Sequence, residues 1–351
     1  MKVLITGGLG FIGCNAASRF IRQGDEVLVL DNFSRAGALH NLEWLRAQGP
    51  VDVIVVDVRD AQRIHNVFRQ HRDIGLVLHL AAQVAVTTSV LDPRADFEVN
   101  ALGTLNVLEA MRLSDCAAPL IYASTNKVYG QMEDLEIVDA EGRYTYKTLA
   151  GGVPETRPLD FHSPYGCSKG AAEQYVRDYH RLFGLNTVIF RQSCIYGYRQ
   201  HGLEDQGWIA WFMIASAMKQ PLTIYGNGKQ VRDVLFIEDL LDAFDAVASN
   251  SRLARGTIYN MGGSPDNTLS LIELISYMEE RIGAPIEYTF APPRPGDQLV
   301  YISDTRKAES ELNWKPRVSC AQGLKLLFDW VHANKHEFGH KNGVVRNATH
   351  A

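Results

Sequence analysis

Tyr165 and Lys169, in Ser163-Pro164-Tyr165-Gly166-Cys167-Ser168-Lys169, are where this 351-residue chain offers chemistry. A Ser followed by Pro opens a helix. The Ser163 hydroxyl accepts from orphan donors of the first turn, and Pro164 brings a helical φ with no N–H to leave unmet. Tyr165 and Lys169 then lie one turn apart on one face. An ammonium near a phenol favours the phenolate, so a group with an ordinary pKa of about 10 becomes a base usable near neutrality. Tyr–Lys pairs at this spacing also occur on plain surface helices, so the pair takes its meaning from its surroundings.

The elements that must position such a pair start at Lys2. Lys2 to Thr6 is a short apolar run, followed by Gly7-Gly8-Leu9-Gly10-Phe11-Ile12-Gly13 and an amphipathic segment to about Gln23. This reads as strand, glycine turn, helix: Gly7, Gly10 and Gly13 allow a tight turn, close approach to a pyrophosphate and close helix–strand packing. A second strand, Glu26 to Leu30, ends in Asp31, which is placed to accept from an adenosine ribose hydroxyl. The context predicts a dinucleotide site. Arg35 invites a 2′-phosphate but the Asp31 carboxylate repels one, which favours NAD over NADP.

Alternation continues with strands near Asp52–Val56, Leu76–Leu80, Leu120–Ala123 and Thr187–Phe190, and helical segments near Asp60–His71, Phe97–Leu113 and Pro164–Phe183. Apolar strands separated by helices predict an α/β fold, a Rossmann-type doubly wound parallel sheet, with a smaller C-terminal substrate-binding domain. The division expected is 1–190 for the NAD-binding domain, with 233–261 returning to it, 191–335 for the substrate domain, and a disordered polar tail over 336–351. Ligands sit beyond the carboxyl ends of parallel strands, so Asp57, Ala81-Ala82-Gln83 and Ser124-Thr125 face them. Asp57 reads equally as the start of the next turn or as an adenine contact. His79, inside an apolar strand, reads as a core histidine, and no metal site is expected. Thr125 leaves the fifth strand where a reacting sugar oxygen would lie beside Tyr165. The long loop 131–158 reads as a lid over the sugar.

Composition narrows the classes. The chain is 46% hydrophobic and 21% charged, enough for one large core or two. Its net charge of −5 argues against a nucleic-acid partner. No stretch is long enough to cross a bilayer and no signal peptide is evident, which predicts a cytoplasmic protein without a membrane partner. Cys14, Cys116, Cys167, Cys194 and Cys320 are scattered and read as reduced thiols.

From Lys2 to about Val331 the chain resembles the extended short-chain dehydrogenase/reductases that modify nucleotide sugars. The likeness rests on Gly7-x-x-Gly10-x-x-Gly13, Asp31-Asn32, Asp57, Leu80-Ala81-Ala82, Thr125 before Val128-Tyr129-Gly130, Tyr165-x-x-x-Lys169 and Arg232-Asp233. It implies Thr125, Tyr165 and Lys169 as the catalytic set and NAD as cofactor. Implied cofactor contacts are Gly7, Gly10, Phe11, Ile12, Gly13, Asp31, Asn32, Ser34, Arg35, Asp57, Val58, Leu80, Ala81, Ala82, Gln83 and Asn100, with Tyr165 and Lys169. Implied substrate contacts are Thr88, Thr125, Asn126, Arg199, Gln206, Arg232, Arg294 and Asp297. Solvated surface is the plain alternative for the three arginines, above all for Arg199. Most of the family place an Asn near the substrate phosphates where this chain has Cys194, a weak donor.

Within the family the likeness is greatest to the branch that epimerises CDP-linked 3,6-dideoxyhexoses at C2. Gln83-Val84-Ala85-Val86-Thr87-Thr88-Ser89, Ser124-Thr125-Asn126-Lys127, Asp160-Phe161-His162, Asp205-Gln206-Gly207-Trp208 and Gly226–Asp233 carry it. The expected reaction is NAD-dependent C2 epimerisation of a CDP-linked sugar, of the CDP-paratose to CDP-tyvelose type, in a homo-oligomer by the family's habit. A UDP-hexose 4-epimerase is the alternative. The family's 4,6-dehydratases carry Asp-Glu where this chain has Asn126-Lys127, and an amide cannot serve as their acid. A NAD-binding sensor without turnover would have no use for Thr125, Tyr165 and Lys169 together.

Overall fold

The computed structural model describes residues 1–294 and 296–338. Its frame is a seven-stranded sheet of β1 (Lys2–Thr6), β2 (Glu26–Asp31), β3 (Asp52–Val55), β4 (Ile74–His79), β5 (Leu120–Thr125), β6 (Thr187–Gln192) and β7 (Thr257–Met261). The order is β7-β6-β5-β4-β1-β2-β3 and every neighbouring pair is parallel. This is the doubly wound sheet that the sequence predicts. Its strand order reverses between β1 and β4, and that reversal opens a crevice at the carboxyl edge.

Unbroken apolar runs make these strands because both faces must be covered. Val3, Ile5 and Val29 join one core with Phe20, Leu42 and Phe244, from the helices Phe11–Arg22, Ala38–Gln48 and Ile237–Ser249. Their sequence neighbours Leu4, Leu28 and Leu30 join the opposite core with Phe68, Met111 and Val176, from Ala61–Gln70, Gly103–Leu113 and Ser163–Phe183. The period of two along each strand sends alternate residues to opposite layers. The helix Ala38–Gln48 escaped the sequence reading because its apolar positions barely segregate and its N-cap, Gly37, donates no side chain.

Beyond β6 the chain adds a small sheet in which Val231–Phe236 pairs with Cys194–Tyr196, Thr268–Ser270 and Val300–Tyr301. A separate parallel pair joins Leu222–Tyr225 to Tyr288–Ala291. The segment 131–158, read from sequence as a lid, is instead a packed element. It carries the hairpin Ile137–Ala140 with Arg143–Tyr146. Tyr146 and Val153 share a third core with Tyr129, Val231, Val300 and Tyr301, and the Val153 N–H donates to the Ile302 carbonyl at 2.7 Å. Of the polar tail expected from residue 336, positions 339–351 lie outside the described residues. Lys335–Glu337 forms a short 3-10 turn, with Glu337 buried.

Candidate active site

The glycine turn closes against the carboxyl end of β4. Gly7 has φ +68°, and a Cβ there would stand 2.8 Å from the Ala81 backbone. A Cβ on Gly13 would stand 2.2 Å from the Gly7 carbonyl, so any side chain at either position forces the turn apart. Phe11 and Ile12 form the first helical turn beside it. Thr6 ties the arrangement together, its hydroxyl accepting from the Leu80 and Ala81 N–H groups at 3.2 Å each.

Asp31 is buried at the end of β2 and accepts from the N–H groups of Leu9 (3.0 Å) and Phe33 (2.8 Å). Burial raises its carboxyl and these donors partly offset the rise. Asn32 donates to Asp57 at 2.8 Å and accepts from the Ser34 N–H at 3.0 Å. Against the cost of burial, hydrogen bonds from Arg59 and Asn32 bring the Asp57 carboxyl down to about 2. Asp57 also accepts from the Arg59 N–H at 2.9 Å, as the start of a turn does. Val58 packs under Gly103, whose added Cβ would meet it at 2.7 Å. Gln83, following Ala82, donates its N–H to the Asn100 side chain at 2.9 Å.

Arg35 donates to Gln206 at 2.8 Å, while Asp205 accepts from Thr87 and Thr88 at 3.1 Å each. Gln206 and Thr88, both expected at the substrate, are thus linked through one short turn to the cofactor-side Arg35.

Thr125, Tyr165 and Lys169 converge at the carboxyl edge of β5. Ser163 adopts φ +66°, a strained left-handed conformation, and its hydroxyl accepts from the Gly166 N–H at 3.2 Å, so it caps the 21-residue helix that carries Tyr165 and Lys169. All three candidate residues are buried, with relative exposures of 6%, 8% and 4%. Thr125 accepts from the Lys127 N–H at 3.2 Å and donates to the Asn126 side-chain oxygen at 3.3 Å. The Lys169 ammonium sits 4.4 Å above the Tyr122 ring.

The charges differ from the simple sequence picture. Burial pushes Tyr165 up to about 12, opposed by the neighbouring Thr125 hydroxyl and reinforced by the Asp96 charge. Burial also brings Lys169 down to about 7, with Asp96 and Glu173 acting to keep it protonated. Loss of water is the largest influence on both groups, because each charged form pays for its enclosure.

The sequence reading missed the acidic groups that stand behind this helix. Glu173, one turn after Lys169, pairs with Arg191 of β6 at 2.5 Å and accepts from Ser124 at 2.6 Å. Arg191 donates on to Tyr129 at 2.9 Å, and Tyr129 to Asn260 of β7 at 2.7 Å. Asp96 comes from the helix Pro93–Phe97, just before a π-helical stretch, Glu98–Leu102, that turns Asn100 inward. It accepts from Ser168 at 2.5 Å and from Gln83 and Asn100 at 3.1 Å each. The i, i+4 spacing from Lys169 could have flagged Glu173. Nothing local marks Asp96.

At the small sheet, Arg232 donates to Asp297 at 2.6 Å and Lys127 meets the same carboxylate at 3.5 Å. Asn126 and Lys127 both reach Gln298 at 3.4 Å. Burial takes Lys127 down to about 8, against the pull of Asp297. Thr125, Asn126, Arg232 and Asp297 therefore share one wall. Arg294 stands elsewhere, donating to the Glu204 carbonyl at 2.8 Å and lying 4.0 Å over the Tyr225 ring. Arg199 is neither a surface arginine nor open to a ligand wall. It is 4% exposed, with Nη1 on Glu337 at 2.9 Å, Nε on Asn41 at 3.0 Å, and the guanidinium near Trp44 and Trp330. Burial of a strong cation demands a carboxylate, and Glu337 supplies it.

Comparison with known proteins fits this geometry. The family model described as GDP-mannose 4,6 dehydratase matches residues 4–327. The chain is 44% identical over 336 residues to the CDP-paratose 2-epimerase of Salmonella typhi, covering 94% of this chain and 99% of that one. Among solved structures, the UDP-glucose 4-epimerase of Thermus thermophilus in complex with NAD superposes with a TM-score of 0.80, at 32% identity, over 95% of this chain and 100% of that one. The UDP-glucose 4-epimerase of Thermotoga maritima with UDP-glucose gives 0.81, at 29% identity, over 95% and 99%. The chain belongs to the GDP-mannose 4,6 dehydratase family, the extended short-chain dehydrogenase/reductases whose members include epimerases and dehydratases of nucleotide sugars.

Proposed function

We propose that the protein is an NAD-dependent nucleotide-sugar epimerase that inverts C2 of a CDP-linked 3,6-dideoxyhexose, converting a CDP-paratose type of sugar to the CDP-tyvelose type. The observation that carries the reading is the convergence of Thr125, Tyr165 and Lys169 in a chain 44% identical, over nearly its full length, to a CDP-paratose 2-epimerase. The residues around the crevice fit a dinucleotide: the glycine cradle would be filled by any Cβ, and Asp31 stands at the end of β2. Gly7 to Gly13, Asp31 and Lys169 would hold NAD, which when bound supplies the hydride acceptor and a positive charge beside the phenol.

The chain's own residues do the rest. Tyr165 takes the proton from the sugar hydroxyl and later returns it, while Thr125 orients the same oxygen. Lys169 holds the nicotinamide ribose and lends charge to Tyr165. Arg232 and Asp297 bind the nucleotide end. Asn126 and Lys127 stand where dehydratases carry acid and base, so the ketone formed is reduced again instead of losing water. A UDP-hexose 4-epimerase is the second reading, favoured by the 4-epimerase structures that superpose on the chain.

Homo-oligomerisation is part of the proposal. Phe97, Leu102, Leu113, Leu182 and Phe183 are large apolar side chains left exposed on the helical stretch 93–113 and the helix Ser163–Phe183. No helix among the described residues is long and apolar enough to cross a membrane, and the cytoplasm is the proposed setting. The test is direct: protein purified without additives is given CDP-, UDP-, GDP- and dTDP-linked hexoses without added cofactor. Conversion confined to a CDP-linked 2-epimer pair is the expected result. Turnover of UDP-hexoses at C4 instead would overturn the substrate assignment.

A further inference from the structure

Arg199, expected from the sequence at the substrate, is instead built into the interior beside the glycine turn. It adopts φ +61°, a left-handed conformation that costs a non-glycine residue and persists only where its surroundings enforce it. Its guanidinium bridges two distant parts of the chain. Nη1 donates to Glu337, in the turn Lys335–Glu337, at 2.9 Å, and Nε donates to the side-chain oxygen of Asn41, in the helix Ala38–Gln48, at 3.0 Å. Asn41, itself buried, carries the contact on, its Nδ2 donating to the Leu9 carbonyl at 2.9 Å. Leu9 lies inside the glycine turn, and its N–H donates to the Asp31 carboxylate at 3.0 Å. Both backbone polar groups of Leu9 are thus held, one by Asp31 and the other by Asn41 with Arg199 behind it. Two neighbouring contacts press the same segment against the same place. Asn15, in the helix Phe11–Arg22, donates to the Tyr198 carbonyl at 2.9 Å, and a Cβ on Gly37 would stand 2.2 Å from the His201 ring.

We infer that Arg199 is a positioning residue of the dinucleotide site: through Asn41 and Leu9 it sets the glycine turn against Asp31, and Glu337 is the carboxylate that keeps it in place. The inference rests on the proposed roles of Gly7 to Gly13 and Asp31 in holding NAD. Glycines let the turn close but cannot fix its shape, since they offer no side chain to anchor and leave the backbone free. Leu9 is the one residue of Gly7-Gly8-Leu9-Gly10 with a side chain, and that side chain is fully buried. Pinning its N–H and carbonyl as well leaves less freedom to lose when the dinucleotide binds, and preorganisation of this kind tightens binding. A guanidinium suits the task, because its planar fork sends two donors in fixed directions. Between the Trp44 and Trp330 rings, at 5.3 and 5.5 Å, Arg199 has little access to water. Without Glu337 it would be a buried, unpaired cation, driven to leave Asn41 for solvent.

The readout is the rate at which bound NAD exchanges with radiolabelled NAD added in excess to the full chain, which needs no turnover. Asn41→Ala and Glu337→Ala should each speed release by roughly five- to tenfold, the size of one lost hydrogen bond. Should either fail to fold, Asn41→Ser and Glu337→Gln replace them. The serine is too short to reach Leu9, and the glutamine keeps an oxygen for Arg199 while losing the charge, so its effect should be the smaller. A staple that merely stabilises the fold would act independently of Asp31. Positioning predicts coupling, so Asn41→Ala should speed release less in an Asp31→Ala background than in the wild type. Tyr259→Phe, which removes a buried hydrogen bond to Glu311 at the far edge of the large sheet, serves as the control and should leave release unchanged. Release unaltered by the Asn41 and Glu337 variants, effects that simply multiply with Asp31→Ala, or equal acceleration by Tyr259→Phe would overturn the inference. The expected pattern in protein inactive on every nucleotide sugar would leave it standing and remove only the functional reading, while protein that holds no dinucleotide overturns both.

Discussion

Arg191 and Glu173 meet at 2.5 Å with side-chain exposures of 3% and 0%, joining β6 to the Tyr165 helix one turn beyond Lys169. Breaking such a pair leaves a bare charge in a dry interior, which costs far more than the net worth of the pair itself. Arg191→Met should lower unfolding free energy by about 3–5 kcal/mol. The double change Arg191→Met with Glu173→Gln should recover much of it. Urea denaturation of the four proteins in the cycle measures both quantities, and strict additivity would show that the two side chains are not coupled.

Tyr165→Phe removes one oxygen and leaves the glycine turn and Asp31 untouched. Turnover should fall by about 10²–10⁴-fold or more, with NAD still bound. Lys169→Met should lose rate and some cofactor, and Asp31→Ala should mainly lose cofactor. Bound dinucleotide released on acid denaturation and steady-state rates separate these outcomes. Near-normal turnover in Tyr165→Phe would remove it as the base.

The fold was legible because its signals are local. An apolar run with no alternation, as in Val3-Leu4-Ile5, can only be a strand buried on both faces, and Gly7 and Gly13 announce a turn that no side chain fits. The meeting of Thr125, Tyr165 and Lys169 was legible for the same reason, since Thr125 ends a strand and Tyr165 and Lys169 share a helix face. What stayed hidden depends on long-range pairing. Asp96 meets Ser168 from 72 residues away, and Arg199 finds its carboxylate at Glu337, 138 residues on. The segment 131–158 reads as loose because its anchors, Lys229 and Ile302, lie far along the chain, beside the strands Val231–Phe236 and Val300–Tyr301. Burial also reverses an intuition drawn from spacing alone: Lys169 beside Tyr165 is not enough to make a phenolate when both groups are cut off from water.

His79 sits between Thr6 at 2.7 Å and Thr104 at 3.0 Å, and burial, with the Lys169 charge, takes it down to about 3. The unfolded chain therefore binds a proton at His79 below about pH 6.5 while the folded protein does not. A depressed folded value means stability present above the unfolded pKa and lost as pH falls toward the folded one. Between pH 6.5 and 5 this group alone should remove about 2 kcal/mol. His79→Gln should flatten that part of the stability curve. An unchanged slope in the variant would show that other groups govern the acid limb.

The carbon at which redox occurs is the most specific expectation. C2 can be inverted by hydride removal at C2 itself, or by oxidation elsewhere followed by proton exchange at an acidified C2, which needs an acid–base pair on opposite faces of the ring. Around the Thr125 turn, Asn126 is an amide, and Lys127 is engaged by Asp297 and Gln298. His162, at the start of the Tyr165 helix, is paired with Asp160 at 3.0 Å. The proposed function gives Tyr165 the part of base at the sugar oxygen and assigns no second one, so direct hydride transfer from C2 is expected. Deuterium placed at C2 should slow turnover and remain at C2 of the product, and reaction in heavy water should leave C2 unlabelled. Solvent deuterium at C2 would exclude the hydride route, and His162→Gln and Lys127→Met would then show which side chain exchanges the proton.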